Sequence, residues 1–181
     1  IPVQVKIPED ATPGSHFSGI FVSLEPPKMR ESGVGVGFDV GNIVSIRVSG
    51  DVNENALIRS FTTGRPIYGS TNVDFLANIE NKGNVLVRPT GPLEVYNMFN
   101  EKVANLTFNE NEGGVFPGVT REFLLNWSDD RVGFGRYKAI LSLSYGAPGS
   151  RATISSTLYF WVLPAKIIWP ALIVLAILLL S

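Results

Sequence analysis

Apolar and polar residues alternate along much of the chain between residues 51 and 162, and this period of two constrains the fold more than any other feature. Four runs carry the alternation most clearly, at residues 73–79, 123–127, 137–145 and 154–162. Turn sequences such as NKGN, PTGP, NEGG and GAPGS punctuate this part of the chain. No window before residue 163 places apolar residues at helical spacing. Short strands with closely spaced turns predict an all-β fold, specifically a β-sandwich.

Tyr137 makes an immunoglobulin-like sandwich the more specific prediction. It stands at the head of a strongly alternating run, two residues before Ala139. Immunoglobulin-type sandwiches often place a tyrosine at this point, and its hydroxyl bonds to the backbone at the corner before the strand. Ala139 occupies the position of the usual second cysteine, which fits a chain without cysteines. The alternative is an ordinary core tyrosine, and both interpretations predict a sandwich.

Three segments are predicted along the chain. Residues 51–162 form the immunoglobulin-like sandwich, because the strand before Gly50 ends there and the polar stretch VNENA follows as a linker. Residues 1–50 hold predicted strands at 3–7, 19–24 and 43–48, which are too few for a sandwich. We therefore expect residues 1–50 to be the C-terminal part of an incomplete β-sandwich domain. Residues 163–181 are the third segment.

The third segment contains an unbroken apolar run of fourteen residues, 167–180, without a charge or an amide. Because a helix needs about 20 residues to cross a bilayer, the run predicts a transmembrane helix truncated at its C-terminal end. Trp161 and Trp169 flank Lys166, as aromatic residues and a cation do at a membrane surface. The expected topology is single-pass in the plasma membrane, with extracellular β domains and a cytoplasmic C-terminus. A buried core helix or a C-terminal strand is the alternative.

The opening stretch IPEDATPG predicts a rigid crossing between two strands. Pro13 fixes φ at one corner of the turn, and Gly14 supplies the positive φ that the next position needs. Gly19 is expected to let a neighbouring backbone approach closely. Further on, GVGVGFD lacks the spacing of a phosphate-binding loop and precedes a strand, so it predicts a flexible hairpin.

Several stretches together resemble bacterial cell-surface proteins of the WxL-interacting type. They are IPEDATPGSHFSGIFVS and GVGVGFDVGNIVSIRVSGD within residues 1–50, ANIENKGNVLVRPTGPLEVYN at 77–97, and FLLNWSDDRVGFGRYKAILSLSYG at 123–146. The resemblance implies an N-terminal sandwich domain proposed to bind peptidoglycan, a second sandwich domain, and one C-terminal membrane helix with a short basic tail. It covers only the end of the first domain, so it assigns the cell-wall-binding role to no particular residue here.

The composition excludes several classes of function. Lys and Arg number 15 against 16 Asp and Glu, which gives no concentrated basic face for nucleic acid. The absence of cysteine excludes disulfides, zinc thiolate sites and cysteine nucleophiles. His16 is the single histidine, so any histidine-paired triad must be built on it. We predict that the protein is not an enzyme, with no catalytic, cofactor-binding or metal-binding residues and no cofactor.

Two polar clusters are the candidates for a metal site or for proton transfer. Glu9, Asp10 and His16 lie in and beside the first turn, with no second histidine or nucleophile to support them, so we expect a structural or surface role.

The second cluster, Asp51, Asn53 and Asn55, offers oxygens at alternate positions, as a calcium loop does. Ala56 and Thr62 replace the glycine and the closing glutamate of an EF-hand, which excludes that motif. A solvated linker is expected here, and interdomain calcium is the alternative.

Two further groups concern the surface. Asn105 and Asn126 each begin a glycosylation sequon, which has meaning only if the source carries the machinery. Phe116, Phe134 and Tyr159 could form an exposed aromatic patch for a glycan or a protein, but we expect each of them to be a core residue.

These observations predict a membrane-anchored extracellular binding or adhesion protein that engages cell-wall polymer or a partner surface protein. The alternative is a structural subunit of a cell-envelope or surface-appendage assembly that docks through exposed strand edges. The expected partners are the lipid bilayer and cell-wall polymer or surface proteins, and not nucleic acid.

Overall fold

Ten strands form the fold of the residues that the computed structural model describes, which are 2–24, 37–165, 169–170 and 177. The chain divides into two units, Ile1–Asn53 and Glu54–Ser181, which we call unit 1 and unit 2. The architecture is all-β, as the alternating pattern predicts.

Unit 1 contains an antiparallel pair of strands, β1 (Gly14–Leu24) and β2 (Phe38–Val48). The two strands include the predicted strands at 19–24 and 43–48, and each begins five residues earlier than predicted. The predicted strand at 3–7 is wrong, because residues 2–7 form no strand. Their apolar alternation is real, but a strand is stable only beside a paired neighbour, and residues 2–7 have none in the described part of the chain. Of the predicted GVGVGFD hairpin, residues 33–36 lie outside the described residues.

The ring of Phe21 occupies the space that side chains would need at two glycines of this pair of strands. Its ring lies across Gly19 on its own strand and Gly41 directly opposite, so that a Cβ on either glycine would come within 2.8 Å and 2.7 Å of ring carbons. Gly19 was expected to admit a neighbouring backbone, whereas it admits an aromatic ring. The glycines therefore let Phe21 lie flat on the sheet.

Unit 2 is a β-sandwich made of two sheets. Its strands are β3 (Ala56–Thr63), β4 (Ile67–Tyr68), β5 (Asn72–Asn81), β6 (Gly91–Tyr96), β7 (Lys102–Phe108), β8 (Thr120–Ser128), β9 (Gly135–Tyr145) and β10 (Ala152–Val162). One sheet has the order β3-β5-β8, and the other has the order β4-β10-β9-β6-β7. Every neighbouring pair is antiparallel except β4 with β10, which run parallel.

The loops of unit 2 gather at the two ends of the sandwich, the Asn81 end and the Gly135 end. At the Asn81 end lie the loops 82–90, 109–119 and 146–151, where Asn81 pairs with Ala56 at the start of β3. At the Gly135 end lie the loops 64–71, 97–101, 129–134 and 163–165, where Gly135 pairs with Val162 at the end of β10. The chain therefore begins the sandwich at one end and leaves it at the other.

The core lies between the two sheets and is built from the alternating runs. Every apolar residue predicted to face inward from 73–79 and 137–145 is buried. The cluster consists of side chains from both sheets and the loop segments beside them: Ala56, Phe61, Val73, Phe75, Ala77, Ile79, Val87, Leu93, Val95, Phe108, Val115, Trp127, Tyr137, Ala139, Leu141, Leu143, Tyr145, Phe160 and Val162. Aromatic rings dominate its centre, where Phe160 contacts the rings of Phe75, Trp127 and Tyr137.

Within the described residues, no helix is long and apolar enough to cross a membrane. Most of the predicted span at 167–180 lies outside those residues. Trp169, Pro170 and Ile177 are described within it, and all three are helical.

Candidate binding face

The residues weighed for metal binding occupy exposed positions. Glu9, Asp10 and His16 are exposed in unit 1, and the His16 ring pairs through Nε2 with the Thr12 carbonyl at 2.8 Å. Among the described residues, no three His, Cys, Asp or Glu side chains are grouped so that they could hold a metal ion. The first-turn cluster is therefore not gathered into a site.

The suggested calcium ligands are divided between the two units. Asp51 and Asn53 belong to unit 1, and Asn55 belongs to unit 2. The Asn55 carbonyl accepts hydrogen bonds from the backbone N–H groups of Lys82 and Gly83, at 2.7 Å and 3.2 Å. This carbonyl therefore closes a turn of unit 2, and calcium binding by the three side chains stays a prediction.

The two sequon asparagines are both exposed, on different sheets. Asn105 lies on β7, at the edge of the five-stranded sheet. Asn126 lies on β8, and its Nδ2 donates to Asn72 Oδ1 at 2.9 Å and to Asp74 Oδ1 at 2.7 Å. The Asn126 amide is therefore held against its neighbouring strand.

The expectation that Phe116, Phe134 and Tyr159 are core residues is wrong, because all three side chains are exposed. They form no common patch, since Phe116 lies at the Asn81 end and Phe134 at the Gly135 end. The inward positions of these segments are filled by their neighbours, such as Val115 and Phe160, which leaves the adjacent aromatic rings outside.

Tyr159 instead belongs to a group on the outer face of the five-stranded sheet. Lys138 on β9 lies directly opposite Tyr159 on β10 and Tyr96 on β6, so three adjacent strands place a cation between two phenol rings. The Lys138 ammonium lies 4.7 Å from the centroid of the Tyr96 ring. The Arg136 guanidinium lies 4.0 Å from the centroid of the Tyr159 ring. We call Tyr96, Asn100, Arg136, Lys138 and Tyr159 the Tyr159 face.

The loop between β6 and β7 borders this face and is fixed by its own side chains. Asn97 Oδ1 accepts from the backbone N–H groups of Phe99 and Glu101, both at 3.0 Å, and its Nδ2 donates to Glu101 Oε2 at 2.7 Å. Asn100 takes a left-handed φ of 62°, and its Oδ1 accepts from Lys138 Nζ at 2.8 Å. These bonds hold the amide of Asn100 beside the cation before any ligand arrives.

Gly135 allows the same loop to pack closely on β9. Its φ is +99°, and a Cβ there would meet the sulfur of Met98 at 2.5 Å. A cavity of about 360 Å³ results between the loop and the sheet, lined in part by Met98, Asn100, Lys138 and Tyr159.

A carboxylate next to the face, that of Glu94, pairs with Lys102 and Tyr96 and not with the two cations of the face. Lys102 Nζ donates to Glu94 at 3.0 Å, and the hydroxyl of Tyr96 donates to the other oxygen at 2.8 Å. These two hydrogen bonds hold the pKa of Glu94 below its ordinary value, and they raise the pKa of both Lys102 and Tyr96. Tyr96 is therefore fixed as a neutral donor, while Arg136 and Lys138 have no carboxylate partner among the described residues.

The arrangement of the face is suited to binding. Aromatic faces stack on the apolar faces of sugar rings or hold cations, while guanidinium, ammonium and amide groups bind carboxylate, phosphate or hydroxyl oxygens. Sequence reasoning identified Tyr159 but missed Tyr96, Arg136 and Lys138. The alternation in the sequence could have identified the two cations. Arg136 and Lys138 flank the inward-facing Tyr137 along the strand and must therefore point outward.

No protein-family model matches the chain, and a search of curated proteins finds no significant match.

Proposed function

We propose that the chain is a membrane-anchored extracellular binding protein that engages an anionic cell-wall polymer through the Tyr159 face. The observation that carries the proposal is the row Tyr96–Lys138–Tyr159, in which the half-buried ring of Tyr96 and the exposed ring of Tyr159 flank a cation across three adjacent strands. Neighbouring strands are about 4.8 Å apart, so the row extends over about 10 Å, the length of two sugar units. A polymer of charged sugars offers both of the chemistries that this row recognises.

The fold that supports this proposal is an immunoglobulin-like sandwich. Its sheets have the order β3-β5-β8 and β4-β10-β9-β6-β7, and the short β4 runs parallel to the last strand. Tyr137 supports the same assignment, because a hydrogen bond joins its hydroxyl to the backbone of Phe134, at the corner before β9. We further propose that residues 1–50 are the end of a second sandwich domain, as in the WxL-interacting type of protein, and that residues 167–180 anchor the chain in the plasma membrane with its β units outside.

The proposal is tested by binding of the full chain to two immobilised polysaccharides, anionic polygalacturonate and neutral dextran. We expect binding to polygalacturonate alone. Tyr159→Ser and Lys138→Gln should each weaken binding about tenfold, since an aromatic or cationic contact contributes about 1–2 kcal/mol.

Leu124→Ser is the matched control, because Leu124 is also exposed but lies on the outer face of the other sheet. It should leave binding unchanged. Equal losses in all three variants, or no binding by the parent chain, would count against the Tyr159 face.

A second candidate function, docking through a strand edge as part of an envelope assembly, is favoured by β8. Its pairing with β5 runs without a bulge over nine residues, and its other edge has no backbone partner among the described residues. The other edges are interrupted: β3 carries a bulge between Ile58 and Ser60, β7 faces a shift at Val95, and β4 has two residues. Regular unpaired edges are sites of strand addition.

Leu124 tests this candidate, because it lies at the middle of β8 and its side chain is exposed. If the edge docks on a second copy or another sheet, Leu124→Lys should abolish the assembly seen by sedimentation of the full chain in detergent. A chain that sediments as a single copy with and without the substitution would speak against docking between copies.

A further inference from the structure

The two ends of the unit 2 sandwich differ sharply in exposed apolar side chains. At the Gly135 end these side chains come from two loops and from the strands β4 and β10: Ile67, Met98, Phe99, Val132, Phe134 and Trp161. The most exposed are Phe99, at 75%, and Val132, at 72%. At the Asn81 end, the exposed large apolar residues in the loops are Phe116 and Val119, both less exposed. Burial of apolar surface is favourable, so a cluster of this kind at one end marks a contact surface.

The loops at the Gly135 end hold these side chains outward through internal bonds. Thr71 Oγ1 donates to the carbonyls of Asp129 and Arg131, which ties the loop 129–134 to the start of β5. Arg131 pairs with the carboxylate of Asp129 through Nε and an NH₂ group, at 3.1 Å and 2.8 Å. Val132, the next residue, therefore projects from a fixed loop. Asn97 fixes the loop that carries Phe99 in the same way.

The chain leaves the sandwich between these loops. Pro164 and Ala165 follow β10 and line a cavity of about 430 Å³ together with Gly69, Val132 and Gly133. The apolar run at 167–180 begins two residues further on. The exposed apolar end of the sandwich is thus continuous along the chain with the segment assigned to the membrane.

We propose that the Gly135 end of unit 2 rests on the bilayer surface, with Phe99 and Val132 inserted at the boundary between headgroups and acyl chains. This inference rests on the proposed membrane anchor and adds a second membrane contact to it. Trp161, next to the end of β10, lies where tryptophan rings prefer to be, at the headgroup level. Arg131, beside Val132, is neutralised by Asp129, so the insertion of Val132 is expected to depend on its apolar side chain and not on anionic lipid.

The row of Tyr96, Lys138 and Tyr159 remains accessible in this arrangement. Tyr159 is three residues before Val162, the last residue of β10, so it lies about 10 Å further from the bilayer than the strand end. The row of Tyr96, Lys138 and Tyr159 would thus face a polymer that lies close above the membrane.

The absence of cysteine makes a direct test available, because one introduced cysteine is labelled uniquely. Full chains carrying F99C, V132C, F116C or I177C are labelled with an environment-sensitive fluorophore and reconstituted in phosphatidylcholine bilayers. Lipids with a quencher near the headgroup or deep in the acyl chain then report the depth of each label. The same measurements are repeated in phosphatidylglycerol bilayers.

We expect shallow quenching at positions 99 and 132 in both lipids, none at the control position 116, and deep quenching at 177. If the labels at positions 99 and 132 are no more quenched than the label at 116, the inference is overturned. Deep quenching at 177 in the same experiment would still support the anchor. Loss of quenching at 177 alone would refute the anchor and leave the surface contact standing. Quenching at 99 and 132 that requires phosphatidylglycerol would overturn the apolar basis of the contact.

Discussion

The ring of Tyr137 stacks on the ring of Phe160, with centroids 5.6 Å apart and an angle of 22° between the planes. The hydroxyl of Tyr137 also bonds to the backbone of Phe134, three residues upstream. The sequence left open whether Tyr137 is a corner residue or a core residue. The ring fills the core, and the hydroxyl reaches the loop before β9.

Tyr137→Phe separates the two roles, because it keeps the ring and removes the hydroxyl. We expect the free energy of unfolding to fall by about 1 kcal/mol, the usual net contribution of one hydrogen bond. Chemical denaturation of the full chain in detergent gives this value. A loss near zero would mean that the bond to Phe134 contributes nothing, and Tyr159→Phe, at an exposed position, is the matched control.

The same hydroxyl makes stability depend on pH in the alkaline range. Burial raises the pKa of Tyr137 above its ordinary value of 10.0. The unfolded chain therefore loses this proton at a lower pH than the folded chain does. The contribution of the Tyr137 hydroxyl to the free energy of unfolding is thus complete below pH 10.0, and it is lost as pH rises through the pKa of the folded state. Unfolding measured from pH 8 to 11 should show a decline above pH 10.0 that is smaller in Tyr137→Phe. Parallel curves for the two proteins would contradict this origin of the decline.

Asn81 closes the opposite end of the sandwich with a fully buried amide. Its Nδ2 donates to the carbonyls of Val85 and Val115, at 2.7 Å and 2.9 Å, and its Oδ1 accepts from Gly83 N–H at 2.9 Å. Asn81→Leu leaves the two carbonyls and the Gly83 N–H without their hydrogen-bond partner. Each buried polar group without a partner costs about 1–3 kcal/mol of the free energy of unfolding. Thermal unfolding should show a large drop in Tm, while Asn105→Leu, at an exposed position, should show little change. Equal Tm values for the two variants would disprove the role of Asn81.

Gly14 tests the turn that opens unit 1. It is buried and has a φ of +130°, as its place after Pro13 predicts. Gly14→Val should cost about 1–3 kcal/mol, because a β-branched residue is strained at positive φ. Glu9→Ala and Asp10→Ala, at exposed positions, should stay within about 0.5 kcal/mol. If Gly14→Val is silent and Asp10→Ala lowers Tm only with calcium present, the turn is a ligand site and its structural interpretation is wrong.

Local pattern was enough to predict the sandwich and most of its core, because a strand sends alternate side chains to opposite faces. Val73 and Ile79 are buried for this reason, and so are the five inward residues of β9. The same pattern failed at residues 3–7, where alternation without a partner strand gives no strand.

The Tyr159 face could not be predicted because it depends on the register of the strands. Tyr96 and Tyr159 are far apart in sequence, and they flank Lys138 only because β6 and β10 both pair with β9 at that residue. Nothing local to either tyrosine specifies that pairing. Asn100 is similar, since its amide meets Lys138 only after the loop 97–101 has closed.

The path of the chain through unit 2 has a mechanical consequence. The chain begins at the Asn81 end and leaves at the Gly135 end, so tension between unit 1 and the C-terminal segment acts along the strands. The load falls on β10, which is paired over its whole length with β9 and flanked at its last two residues by the parallel β4. Pulling β10 out would shear many hydrogen bonds at once instead of opening them one after another. A sandwich threaded in this direction is expected to resist extension along its strands.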